Sequence, residues 1–406
     1  MPTREGKSSS YCWVIVGVLW LAHVLSFVNF SGFGILAPFI KEELQLSSFQ
    51  IGFLISALSI GSGVCQMPAG LLVDFAGVRR MMTLGMVGIG LFLVLFSLAP
   101  SFPVALVVLL FYGAANSVIG PGSSKCVMEW FPAVGRATAM GIKQTGVNFG
   151  GILAGLLLPA VAVLYSWRQG LFAIGLVEVA AAIPIYWLLR VSPVRSEAPA
   201  ASLDWGRVMK TALRRDMLIL GGIGFCFMAS QFCFSTYLTL FLIQEMKYPI
   251  ARAGQYYALS FFIGAAARVL WSAASDYLLA GRRKGVLVLI TGLLFLSSLG
   301  LGVISFFPVL SPLLVCAVLA FGMSGIGWNA IYLTIMGESA GKESAGLAIG
   351  IGYGYGFLGG LIAPPIFGFL VDRTDTYGWS WLILTLCTVG IMLLLTCFRE
   401  KPAAAP

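Results

Sequence analysis

Long apolar runs without a single charge, such as Gly85–Leu110 and Gly285–Asn329, recur along the chain and are separated by short charged clusters. Each exceeds the roughly 20 residues that a helix needs to cross a bilayer. No water satisfies backbone N–H and C=O groups in hydrocarbon, so only helices and closed barrels span it. Barrel strands alternate apolar and polar positions over about ten residues. These runs do not alternate, and they read as helices. Only 10% of the 406 residues are charged, against about 25% in a soluble domain. The expected fold is therefore an all-α membrane protein of about twelve transmembrane helices. The spans fall near residues 11–40, 49–73, 81–98, 102–126, 137–164, 170–189, 217–242, 251–275, 285–307, 310–335, 344–370 and 379–398. The first run continues past Pro38 without the short apolar stretch and small-residue site of a cleaved signal, so it is expected to stay in the mature protein.

Basic residues then orient the chain. With a cytoplasmic amino terminus, Arg4, Lys7, Arg79, Arg80, Lys125, Arg136, the basic residues of 190–215, Arg282, Arg283, Lys284, Lys342, Arg399 and Lys401 fall inside. Lys41, Arg168, Lys247, Arg252 and Arg373 fall outside. That asymmetry obeys the positive-inside rule with both termini cytoplasmic. The formal charge of +9 is then topology, and gives no reason to expect nucleic acid as a partner. The eight cysteines lie within or beside spans without a CxxC pair, and read as small apolar residues rather than disulfide or metal ligands.

The polar stretch 191–216 separates two halves, 1–190 and 217–406, each expected to hold six spans. The halves echo each other. Gly70-Leu-Leu-Val-Asp74-Phe-Ala-Gly77-Val-Arg79-Arg80 follows the second span, and Ser272-Ala-Ala-Ser-Asp276 leading to Gly281-Arg282-Arg283 follows the eighth. Glu129 before Gly141 is echoed by Glu338 before Gly350. On these motifs, the repeat and its length, the chain resembles the major facilitator superfamily along essentially its whole length. The resemblance implies two six-helix halves, a midplane site and alternating access. It also implies a gating role for Gly70, Asp74, Gly77, Arg79, Arg80 and Asp276. Physically, Asp74 can pair with Arg79 or Arg80, or with a neighbouring helix amino terminus.

Topology leaves Arg268 and Lys143 unexplained. Arg268 lies about 12 Å along its helix from Asp276, at about 1.5 Å per residue, close to the middle of a hydrocarbon core of about 30 Å. A cation there is costly unless it faces a wet cavity or a partner. Guanidinium keeps its proton, and its planar fork suits carboxylate or nitrate oxygens. The alternative is a structural pair with an acid. The acid deep within the spans is Glu178, on the sixth, and the resemblance implies a peripheral sixth helix, which argues against a bridge. Lys143 reads as a second positive contact, with snorkelling to the surface as its alternative. Asn29, Gln66, Tyr112, Asn116, Gln231, Asn329, Tyr332 and Tyr353 lie at comparable depth and are candidate substrate contacts, with interhelical hydrogen bonding as the competing reading. The glycine-rich run from Gly346 to Gly360 marks a deformable or closely packed span.

The block Arg268-Val-Leu-Trp-Ser-Ala-Ala-Ser-Asp276 is similar to the eighth-helix arginine of nitrate/nitrite porters, and a comparable arginine occurs in monocarboxylate transporters and the oxalate/formate antiporter. The departures are informative. Gln66 stands where nitrate porters carry a second arginine, Gly264 where many monocarboxylate transporters have an aspartate, and Leu109 where proton-driven drug exporters have a fourth-helix arginine. The expected function is secondary transport of a small organic anion, a mono- or dicarboxylate, across the inner cell membrane. His23, the single histidine, is the candidate proton-coupling group, and proton symport and anion exchange both stay open. The rivals are an inorganic anion porter (nitrate, nitrite or cyanate), a drug efflux carrier and a non-transporting membrane sensor. No nucleophile triad, metal cluster or phosphate loop appears, so no enzyme, cofactor or metal is expected. The expected partners are the small anion and the lipid bilayer, with the protein acting as a monomer.

Overall fold

The computed structural model describes residues 8–131, 133–190, 205–275, 279, 282–340 and 345–400. Its helices are α1 (Ser8–Glu43), α2 (Ser48–Ala76), α3 (Val78–Ser97), α4 (Phe102–Asn116), α5 (Ile119–Trp130), α6 (Ala133–Leu164), α7 (Trp167–Leu188) and α8 (Trp205–Ala212). They continue as α9 (Arg215–Gln244), α10 (Ile250–Ala273), α11 (Arg283–Phe306), α12 (Leu314–Phe321), α13 (Asn329–Ala340), α14 (Ala345–Thr374) and α15 (Gly378–Cys397). No strand occurs among the described residues. Among the described residues, eleven spans are long and apolar enough to cross a membrane. The twelfth candidate is α10, 24 residues long, whose Arg252 and Arg268 lower its hydropathy. Large apolar side chains on the spans are exposed, among them Leu386 at 67% and Leu296 at 64%, as expected of a surface that faces lipid.

Two spans read as single helices are interrupted. The expected span 102–126 breaks at Ser117–Val118 into α4 and α5. The expected span 310–335 is assembled from a 3-10 turn (Pro308–Leu313), α12, a π-helical turn (Gly322–Ile326) and α13. Glycines at 322, 325 and 327 lower helix propensity there, and π turns of this kind are frequent at functional sites.

The chain forms two compact units: Met1–Phe33 with Ala57–Ser202, and Gly34–Ser56 with Leu203–Pro406. Within the first, α3 and α7 pack backbone to backbone. A Cβ on Gly90 would stand 2.5 Å from the Gly175 carbonyl, and one on Gly175 2.8 Å from the Gly90 carbonyl. Small residues permit this approach where lipid offers no hydrophobic drive for association. Within the second, α9 and α14 meet through Gly359 and Gly360, which face Phe225 and Phe232, so the glycine-rich span is closely packed there. Phe234, Phe321, Phe367 and Trp381 form an aromatic core, with Phe234 stacked on Phe321 at 4.0 Å.

At one end of the second unit, Asp372 accepts hydrogen bonds from the backbone N–H groups of Ser48 (2.8 Å) and Phe49 (2.7 Å), capping α2. Lys41 donates to Ser48 Oγ at 2.6 Å. Beside them Glu245 accepts from Ser305 Oγ, Thr376 Oγ1 and the Tyr377 N–H. Burial, then the Glu245 and Asp372 carboxylates, push the Tyr377 phenol well above its ordinary range. Asp372→Ala leaves two amides of α2 without acceptors. It is expected to cost about 1–2 kcal/mol, read as a lower unfolding temperature of the purified protein in detergent, while Asp372→Asn keeps one acceptor and loses less.

The motif that follows the second span is described in part. Gly77 adopts φ +86°, a left-handed conformation, and opens α3 one residue after α2 ends, which explains a glycine between two helices. Arg79 stacks its guanidinium 3.8 Å above the Tyr186 ring, so its charge is turned to α7. Arg80 is exposed and Gly70 half-buried. The side chain of Asp74 and the whole of Asp276 lie outside the described residues.

Candidate functional site

Arg268 lies on α10 against the π-helical turn. Its Nε and Nη2 each donate toward the Ile326 carbonyl at 3.4 Å, while Trp271 Nε1 donates to the Met323 carbonyl at 2.8 Å. Both acceptor carbonyls belong to the π-helical turn, and α10 supplies side-chain donors to them. Contacts of 3.4 Å are at the long end of hydrogen bonding, and among the described residues no carboxylate pairs with Arg268. Tyr353 of α14 is near enough to feel the guanidinium charge, and its hydroxyl donates to Asn329 Oδ1 at 3.4 Å. Arg268, Tyr353 and Asn329 are all half-buried. They form a cationic group with neutral donors beside it and no internal anion.

Gln231 on α9 accepts from Trp328 Nε1 at 3.0 Å, and Trp328 stacks on Phe227 at 4.8 Å. Tyr332 is buried, with its hydroxyl 3.4 Å from the Gly352 carbonyl, which marks it as packing between α13 and α14. Gly264, one turn before Arg268, has no room for a side chain: a Cβ would stand 2.6 Å from Ile326 Cγ2 and 3.0 Å from the Gly322 carbonyl. The absence of an aspartate there is a packing requirement of α10 on the π turn.

The first unit holds a separate polar line. Lys143 on α6 is 3% exposed. Its ammonium does not snorkel. It donates to Ser123 Oγ at 3.0 Å and Ser124 Oγ at 2.9 Å, both on α5. Ser123 Oγ also stands 3.5 Å from His23 Nε2, and His23 Nδ1 is 2.8 Å from the Leu19 carbonyl. A carbonyl only accepts, so Nδ1 carries a proton and Nε2 is left to Ser123. Further along α1, Asn29 Nδ2 donates to Glu178 Oε2 at 3.0 Å, and Ser26 Oγ to Glu178 Oε1 at 3.3 Å. Tyr112 is fully buried, and among the described residues neither its hydroxyl nor Asn29 Oδ1 has a hydrogen-bond partner. Asn116 and Gln66 are half-buried, and the Gln66 amide lies beside Gly120. No group of His, Cys, Asp and Glu able to hold a metal occurs among the described residues.

Sequence reading missed Ser123 and Ser124, which are unremarkable in composition, and the Ile326 carbonyl of the π turn. The clustered glycines at 322, 325 and 327 were the available signal. Lys143→Met removes a buried ammonium held by neutral hydroxyls alone. Burying such a charge is costly, so the variant is expected to unfold at an equal or higher temperature than the parent while transport falls. Loss of monodisperse protein on size exclusion would instead make Lys143 a fold residue.

A family model described as Major Facilitator Superfamily matches residues 19–364. A hexuronate transporter of Bacillus subtilis (strain 168) is 25% identical, with 91% of this chain and 90% of the relative covered. A probable galactarate/D-glucarate transporter of the same organism is 24% identical, over 92% of this chain and 89% of the relative. Among solved structures, a bacterial homolog of the human lysosomal transporter Spinster superposes with a TM-score of 0.77 at 15% identity, covering 97% of this chain and 99% of that one.

Proposed function

The chain belongs to the major facilitator superfamily of multi-pass membrane transporters, and from that premise we propose that it carries a small organic anion by alternating access, with Arg268 as the charge partner. The observation that carries the reading is a guanidinium inside α10 whose partner is one carbonyl at 3.4 Å. Such a group needs an anion, and a carboxylate matches its planar fork. Tyr353 and Asn329 supply neutral groups that orient the substrate beside the charge. The similar hexuronate and galactarate/D-glucarate transporters favour a hydroxylated mono- or dicarboxylate over nitrate, because such substrates use hydroxyl and amide partners as well as a cation. Both termini are placed in the cytoplasm by the distribution of basic residues, and the carrier acts as a monomer.

Uptake into proteoliposomes tests the reading. A panel of sugar acids, short carboxylates and nitrate is measured with and without a pH gradient and with internal counter-anion. Saturable uptake of one or more carboxylates is expected. Uptake of nitrate alone overturns the organic reading, and ligand-dependent thermal stabilisation without translocation of any anion favours a sensor. Accumulation that requires internal anion and ignores pH identifies exchange, and accumulation driven by the gradient identifies symport.

A further inference from the structure

We propose that Glu178 is the proton-binding group of this carrier, with the Ser26 hydroxyl turning between its two protonation states; this rests on the reading of the chain as an anion carrier. Glu178 lies midway along α7 and is 0% exposed. The groups that face it are Ser26 and Asn29 from α1, Tyr112 from α4, whose phenol is near enough to feel its charge, and, behind Ser26, Met86 from α3. The ammonium of α6, Lys143, is engaged with Ser123 and Ser124 of α5, and His23 with Leu19 and Ser123. Among the described residues no cation pairs with Glu178.

Both protonation states fit the same heavy-atom positions. Ionised, the carboxylate accepts from Ser26 Oγ at 3.3 Å and Asn29 Nδ2 at 3.0 Å. Protonated on Oε1, it donates to Ser26 Oγ, whose own hydrogen turns to Met86 Sδ at 4.0 Å, and Oε2 still accepts from Asn29. A hydroxyl rotor is all that must move. An ionised carboxylate without a cation is costly inside a membrane protein, and the neutral acid needs no counter-charge.

Two further observations separate a working site from interhelical glue. Among the described residues, Asn29 Oδ1, on the amide bound to the carboxyl, and the Tyr112 hydroxyl are buried and have no partner, whereas a purely structural network satisfies its members. In addition, α1 passes from one compact unit to the other between Phe33 and Gly34, one turn beyond Asn29. A change in the bonding of Ser26 and Asn29 therefore acts on the helix common to both units. His23, Ser26 and Asn29 recur at i, i+3 spacing on one side of α1 and extend the polar line toward Ser123.

The test uses the full chain in proteoliposomes and a carboxylate that the wild type carries. Across a gradient of about one pH unit, symport of one proton with a monoanion supports up to about tenfold accumulation. Glu178→Gln, which keeps a neutral amide in place of the acid, is expected to equilibrate without accumulating and to retain counterflow. Ser26→Ala is expected to shift the pH midpoint of uptake. Infrared difference spectroscopy of the purified protein is expected to show a titrating carboxylic acid band that Glu178→Gln lacks. Accumulation by Glu178→Gln equal to the wild type overturns the proposal, as does a band that persists in that variant. Counterflow indifferent to pH in the wild type also overturns it while leaving the anion reading standing. Transport of no carboxylate at all overturns the anion reading, and the infrared band then still decides whether Glu178 binds the proton.

Discussion

Arg268→Ala is expected to lower the transport efficiency for the anionic substrate by about a hundredfold or more, the equivalent of about 3 kcal/mol lost when one partner of a buried ion pair is removed. The protein is expected to remain folded, because what Arg268 gives its own bundle is a pair of long contacts to the Ile326 carbonyl. Arg268→Lys keeps the charge and loses the planar fork, so it is expected to recover part of the affinity and none of the bidentate selectivity. Substrate-induced thermal stabilisation, measured beside uptake, separates the possibilities. An alanine variant that is stabilised by the same carboxylate at the same concentration as the wild type, and transports it, removes Arg268 from the site.

Gly264→Ala is expected to be nearly as damaging by a different route. The added Cβ stands 2.6 Å from Ile326 Cγ2 and 3.0 Å from the Gly322 carbonyl, so α10 must move off the π turn. Overpacking of this kind costs about 1–3 kcal/mol. The displacement carries the Ile326 carbonyl away from Arg268 and changes the direction in which the guanidinium is presented. The expected outcome is a lower unfolding temperature together with weakened anion binding, whereas Arg268→Ala weakens binding with little change in stability. Ala265→Gly, on the neighbouring position of the same helix, serves as a control for backbone flexibility. Normal stability and affinity in Gly264→Ala would mean that the α10 contact on the π turn does not position Arg268.

Most of the fold was legible in the sequence, because a bilayer imposes length and polarity on each span more strictly than water imposes anything on a soluble helix. The breaks were not legible in hydropathy. Ser117–Val118 and Gly322–Ile326 interrupt runs that are as apolar as their neighbours, and hydropathy does not register a change in hydrogen-bond pattern. Lys143 shows the same limit. Depth along a helix permitted it to snorkel, but rotation about the helix axis, set by packing against α5, brings its ammonium to Ser123 and Ser124.

The sequence by itself determined that the chain is helical and membrane-spanning, that similar motifs follow its second and eighth spans, and that Arg268 and Lys143 are the cations topology leaves over. Those conclusions follow from composition, spacing and the cost of charge in hydrocarbon, each a property of position along the chain. Only the tertiary structure decided which groups Arg268, Lys143 and Glu178 meet: Arg268 a carbonyl of the π turn, Lys143 the hydroxyls of α5, and Glu178 Ser26 and Asn29. Hydrogen bonds between helices depend on rotation and crossing, which close glycine contacts such as Gly90 with Gly175 and Gly264 with Ile326 set, and a one-dimensional pattern carries neither.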